Sequence, residues 1–258
     1  MAPKRLPRRL QYGEEATLVE MLDELRKRLL IVLLVLGAAF AGVFAFHETL
    51  IEAMARPLPE GRRLVTFGVT EPFFTAVKVS FFGALALALP VLLYQLWSFL
   101  APAMEEGTQR VISSFAALSG ALLVGGLSFA YFVVLPRAIA FLTTFDEHLY
   151  DVQIRASYYY SFVTLMLFGM GVVFQLPIFV LALVRLRIVS SDKLRRNRGI
   201  ALLLMVVVAA LLPTMDPVSL AFETIPLLVL YEMSIWLAVL MERRWGYDRV
   251  DAEAPAGA

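Results

Sequence analysis

Five long stretches of the chain contain no Asp, Glu, Lys or Arg: 29–46, 79–104, 111–136, 156–184 and 199–215. Each holds at least 17 residues, the lower limit for a helix that crosses a bilayer, where about 20 is usual. A sixth apolar run, 218–241, is interrupted only by Glu223 and Glu232. Backbone inside hydrocarbon must satisfy its own hydrogen bonds, so these runs predict helices and require no strands. The expected fold class is an all-α polytopic membrane protein. Its six transmembrane helices fall at about 29–46, 75–99, 111–135, 157–184, 199–213 and 218–240, within a domain covering 29–241. A cytoplasmic tail with an amphipathic helix, 1–28, precedes that domain. A cytoplasmic tail expected to be disordered, 242–258, follows it.

The spans are unequal. The fifth rises only about 25 Å if helical, less than the roughly 30 Å hydrocarbon core. The turn at 213–217 follows at once, so the last two helices read as a short hairpin beside longer neighbours. Pro90, Pro177 and Pro226 each lie within a span and predict a kink, because each removes a backbone donor. Bent helices of unequal length predict a concave, cup-like arrangement. No internal repeat is visible, which weakens an inverted-repeat transporter.

Charge placement sets the orientation. Seven Lys and Arg lie in the tail to Arg28, one in 101–110, six in 185–198 and three after 241. The opposite side carries six: Arg56, Arg62, Arg63, Lys78, Arg137 and Arg155. An excess of basic residues marks the cytoplasmic side, so both termini are expected there. Arg8-Arg9 resembles an export signal, yet five acids separate it from the first apolar run and no cleavage site follows. Both arginines read as membrane-proximal positive charge.

Composition narrows the chemistry further. With 60% hydrophobic and only 17% charged residues, the chain departs from the roughly one-quarter charged soluble norm. No cysteine is present, which removes disulfides, thiol catalysis and Cys-bound metals. His47 and His148 stand apart without metal-site spacing. No phosphate-binding glycine loop occurs, and a net charge of +1 gives nucleic acid no support.

Three regions carry candidate chemistry. Glu20, Asp23 and Glu24 sit at helical i, i+3, i+4 spacing just before the first span. They form either the polar face of an interfacial helix, with Glu24 and Arg28 paired, or an acidic patch that receives a basic peptide. The second region is YQLWSFLAP at 94–102, followed by Glu105 and Glu106. Its aromatics suit membrane anchoring, and an exposed Phe beside acids also suits a basic and apolar ligand. Within the spans, Gln175, Glu223 and Glu232 are the polar exceptions. Gln175 can bond a neighbouring helix, and Glu232 can snorkel toward the cytoplasmic end. Glu223 either faces the outer interface beside Asp216 or supplies a carboxylate inside the cup.

The segments LVEMLDELRKRLL at 18–30, EPFFTAVKVSFFGALALALPVLLYQLWSFLAPAM at 71–104, SFAYFVVLPRAIAFL at 128–142, FGMGVVFQLPIFVLALVRLRIVS at 168–190 and PTMDPVSLAFETIPLLVLYEMSIWLA at 213–238 together carry a resemblance. The chain resembles the TatC family, the multispan signal-receptor subunits of the twin-arginine protein translocase. The resemblance implies a cup-like six-helix fold that binds twin-arginine signal peptides of folded precursors and drives export with the proton-motive force. It implies TatA- and TatB-type single-span partners and a homo-oligomer within the receptor complex in the cytoplasmic membrane. It places Glu24, Arg26 and Arg28 in the recognition motif, Phe99 as the aromatic of the first cytoplasmic loop, Pro57 in the first periplasmic loop and Asp216 between the last two spans. Met21 stands where His is usual, and Thr108 where many relatives carry a signal-binding Glu, so Glu105 or Glu106 supplies that charge. Gln175 replaces an intramembrane Glu, and Glu223 is a carboxylate that many relatives lack.

The expected function is therefore a receptor and translocase subunit, with no enzymatic step and no cofactor. The rival reading, a small-molecule or ion secondary transporter, needs paired charges lining a midplane path. Three scattered polar positions fit that poorly. An intramembrane enzyme lacks its Ser/His pair, HExxH or paired aspartates.

Overall fold

The computed structural model describes residues 18–59, 63–100, 108–145, 148–149, 153–186, 188–210 and 217–245. The acidic segment and the first apolar stretch form one unbroken helix, α1 (Leu18–Ala45). A short helix α2 (His47–Ala55) and strand β1 (Leu64–Val65) lead into α3 (Glu71–Leu100). Helix α4 (Thr108–Phe129) passes through a π-helical turn, Ala130–Val134, into α5 (Leu135–Thr144). Strand β2 (Ile154–Arg155) precedes α6 (Ala156–Val173) and α7 (Leu176–Arg185). The chain then runs through α8 (Ser191–Arg196), α9 (Arg198–Ala210) and α10 (Pro217–Trp245).

Among the described residues, five helical segments are long and apolar enough to cross a membrane: Leu22–Ala45, Glu71–Phe99, Phe115–Thr144, Ala156–Arg185 and Glu223–Arg243. Helix α9, with 13 residues, is a shorter apolar segment of about 20 Å. Helix α10 runs for 29 residues, comparable to α1 and α3, so the last helix is not the short one expected from the sequence; shortness is confined to α9.

The prolines act differently according to what surrounds them. Pro90 and Pro226 lie inside uninterrupted α3 and α10. Pro177 sits in the first turn of α7, directly after the break at Phe174 and Gln175. Without an N–H, Pro177 cannot bond the carbonyl four residues earlier, so α6 ends there and α7 restarts. Pro136 stands in the first turn of α5, immediately after the π-helical turn. The same missing donor disturbs the ladder at that point.

Strands β1 and β2 pair in parallel, Leu64 with Ile154 and Val65 with Arg155. This pairing brings the connections after α2 and α5 to one end of the bundle. The opposite end, called inner after the orientation expected from charge placement, holds the start of α1, the end of α3 and α8. One buried cluster, including Val134, Tyr159, Met166, Met170 and Leu227, joins α6, α10 and the π-helical turn. A second, centred on Leu93, Trp97, Phe115, Ile178 and Leu181, lies toward the inner end. Helix α1 packs along α3 with no residue of its apolar window fully buried, leaving Leu33 and Leu34 exposed.

Candidate functional site

At the inner end, the i, i+4 spacing of Glu24 and Arg28 on α1 produces an ion pair. The Arg28 Nε and Nη2 groups donate to Glu24 Oε1, at 3.0 and 2.5 Å. Arg28 also reaches across to α3: Nη1 donates to Gln95 Oε1 at 3.1 Å and to the Gln95 carbonyl at 3.4 Å, and Nη2 to the Ser98 carbonyl at 3.1 Å. The last carbonyls of a helix lack intrahelical partners, so a cation at Ser98 complements both the free oxygen and the helix dipole. Glu24 and Arg28 are each half-buried, whereas Arg26 is exposed on the same helix. Lys27 Nζ pairs with Asp23 at 2.7 Å on the exposed face.

Phe99 follows Ser98 directly and is half-buried, so Arg28 brings Glu24 to the turn that carries Phe99. Trp97, grouped by sequence with the interfacial aromatics, is instead 5% exposed. It meets Phe115 and Phe179 edge-on, at 6.5 and 5.8 Å. The helix directs Trp97 inward while Tyr94 stays exposed. Glu105, Glu106 and Asp216 lie outside the described residues.

Deeper in the bundle, Gln175 is 1% exposed and fastens the α6–α7 break to α4. Ser119 Oγ donates to Gln175 Oε1 at 2.8 Å, while Gln175 Nε2 donates to the carbonyls of Ser119 at 3.3 Å and Gly171 at 3.4 Å. An amide can donate and accept at once, so it satisfies these groups without charge. Glu223 is fully buried on α10, which removes the reading that it faces the outer interface. Glu232 Oε2 accepts from Arg198 Nη2 at 2.9 Å, and both side chains are about half exposed. Among the described residues, no three His, Asp or Glu converge to hold a metal.

A family model described as Sec-independent protein translocase protein (TatC) matches residues 20–226. The TatC protein of Helicobacter pylori strain J99 is 32% identical, the match covering 85% of this chain and 88% of that protein. That of Desulforapulum autotrophicum is 32% identical over 93% and 90%. A crystal structure of the twin arginine translocase receptor TatC superimposes with a TM-score of 0.76 at 31% identity, covering 84% of this chain and 99% of the other. The chain belongs to the TatC family. It is accordingly a multi-pass membrane protein of a protein translocase, and the family implies a Tat complex.

This TatC chain also has a built outer end that the sequence did not reveal. Glu71, at the start of α3, is 8% exposed. Its carboxylate accepts from Arg155 Nε at 3.0 Å, the Ser157 N–H at 3.1 Å and the Phe67 N–H at 3.0 Å. Arg155 lies 5.7 Å from the Phe67 ring centre and 5.3 Å from that of Tyr158. The hydrogen bond to Glu71 raises the guanidinium pKa above its ordinary value. Pro57, half-buried, lies just beyond α2. The last turn of α2 is held by Tyr131 OH on the Ala53 carbonyl at 2.7 Å and Tyr159 OH on the Met54 carbonyl at 2.9 Å. The one available signal was charge at the outer mouths of two spans, Glu71 before one and Arg155 before the other.

Proposed function

We propose that this chain receives twin-arginine signal peptides at its inner end and nucleates the complex that exports the folded precursors. The observation that carries this reading is the placement of the Glu24 carboxylate beside the last turn of α3, next to Phe99. A carboxylate with a free oxygen suits a guanidinium, whose planar fork makes charge-assisted bonds. Phe99 suits the apolar residue next to the signal arginines. Glu105 or Glu106 supplies the second acid; Arg26 belongs to the same N-terminal motif, and Pro57 is the functional proline of the first periplasmic loop, both carried over from the family. TatA- and TatB-type single-span subunits join the chain, several copies associate within the receptor complex, and the proton-motive force drives transport. A precursor pull-down tests the reading. Membranes bearing this chain should retain a precursor with an intact signal and lose one whose twin arginines are replaced by lysines. Equal retention of both would refute it.

The proposed topology has six spans, with α9 the fifth and both termini in the cytoplasm. Since the chain has no native cysteine, single-cysteine labelling reads the topology cleanly. A membrane-impermeant maleimide added to intact cells should label Thr66→Cys and spare Asp251→Cys. The reverse pattern would invert the orientation and the side of substrate entry.

Glu223 is proposed to carry part of the polar function that an intramembrane acid would supply at position 175. Its complete burial supports this, because a carboxylate in a span is costly to retain without a role. Glu223→Leu should impair export yet leave signal-peptide binding unchanged, and Gln175→Glu should partly restore transport. Full export in Glu223→Leu would assign Glu223 to packing.

A further inference from the structure

We propose that Arg28 is a positioning residue that never meets the ligand. It fastens Glu24 to the inner end of α3 and leaves one carboxylate oxygen, Oε2, for an incoming guanidinium. The inference rests on the receptor reading above and refines the division of labour within the motif.

Three observations converge on it. A guanidinium has five N–H groups, and the Arg28 nitrogens make five hydrogen bonds within the protein: one from Nε, two from Nη1 and two from Nη2. No donor remains for a signal peptide. The two Arg28 bonds to Glu24 both use Oε1, and Oε2 carries no hydrogen bond among the described residues. Charge points the same way, since a ligand bearing two arginines is repelled by a third cation and attracted by the carboxylate.

The mechanical setting explains why such a clamp is needed. Helix α1 meets the described bundle chiefly through α3, and no side chain of its apolar window is fully buried, so a polar link adds to what that single packed face fixes. Glu24 is on α1 and Phe99 on α3, and their separation must be fixed if one ligand is to touch both. Arg28 is the side chain that spans the two helices at this level, through Gln95 and Ser98. Lysine could not replace it, because a single ammonium cannot hold a carboxylate, an amide and a carbonyl in one plane.

The test uses the full-length chain in lipid nanodiscs with a twin-arginine signal peptide. Peptide affinity is measured for Glu24→Ala, Arg28→Lys, Arg28→Met and Gln95→Leu. A spin-label pair at Leu22→Cys and Tyr94→Cys, both exposed positions, reports the α1–α3 distance. Gln95→Leu and Arg28→Lys should each weaken binding about five- to tenfold and broaden the distance distribution. Adding Gln95→Leu to Arg28→Met should cost nothing more, because both remove one linkage. A photo-crosslinking residue next to the peptide arginines should label Glu24 and Phe99 and spare Arg28. Loss of affinity in Arg28→Met with wild-type affinity in Gln95→Leu would make Arg28 a ligand contact and overturn the proposal. Crosslinking to Arg28 would do the same. Wild-type affinity in Glu24→Ala would remove the receptor site itself, a failure distinct from the other two.

Discussion

A Glu24→Ala chain is expected to bind twin-arginine signal peptide at least tenfold more weakly than wild type. A hydrogen bond between charged groups contributes about 1.5–3 kcal/mol, which corresponds to roughly ten- to a hundredfold in affinity. Glu24 is half-buried against α3, so its charge is less screened than on an open surface. The substitution also strips Arg28 of its carboxylate and leaves that cation facing the binding surface, which adds repulsion. Glu24→Gln separates the two effects. The amide keeps the shape and can still accept from Arg28, but it offers no charge to the ligand. Most of the affinity should be lost in that variant as well. Titration of a fluorescent signal peptide onto nanodisc-embedded protein measures this directly. Unchanged affinity in Glu24→Ala and in the Glu105→Ala/Glu106→Ala double variant would show that the peptide docks elsewhere.

Local features of this molecule were legible in its sequence, and long-range ones were not. The Glu24–Arg28 pair follows from i, i+4 spacing, as the α6–α7 break follows from Pro177. Charge-free runs placed the long helices, because hydrocarbon imposes one length on every span. Prolines were a less uniform guide: one lost donor ends α6, yet α3 and α10 absorb theirs. Arg28 meets Gln95 across 67 positions, Gln175 meets Ser119 across 56, and Arg155 meets Glu71 across 84. Nothing in the pattern of either segment announces the other, because such contacts depend on how helices rotate about their axes. Rotation also decides that Trp97 enters the core while Tyr94, three residues earlier, stays outside. In a chain this apolar, hydrophobicity does not distinguish the lipid-facing side of a helix from its packed side.

Helix rotation is also what makes Gly126 the position with the largest expected structural penalty. A Cβ built on Gly126 would lie 2.8 Å from Cγ of Phe174, 2.9 Å from its Cβ and 2.9 Å from the Met170 carbonyl. The carbonyl belongs to the α6 backbone and cannot move aside without displacing the helix. Small residues at membrane helix crossings permit such approaches, and the packing gained there replaces the hydrophobic drive available in water. Gly126→Leu should therefore push α4 away from the α6–α7 break and stretch the Ser119–Gln175 bonds. Overpacking costs about 1–3 kcal/mol, and weakening an interhelical hydrogen bond in a membrane adds about 0.6 kcal/mol. Gly120→Leu, six residues earlier on α4, provides the matched control, since a Cβ there meets nothing within 4 Å. Its effect should fall within about 0.5 kcal/mol of zero. Gly171→Ala should lie between them, because its Cβ would meet the flexible end of Leu123 at 3.0 Å. Thermal unfolding midpoints of the purified variants in one detergent rank the three. If Gly126→Leu and Gly120→Leu unfold at the same temperature, α4 and α6 do not approach closely at Gly126, and the bonds that hold Gln175 lose their geometric basis.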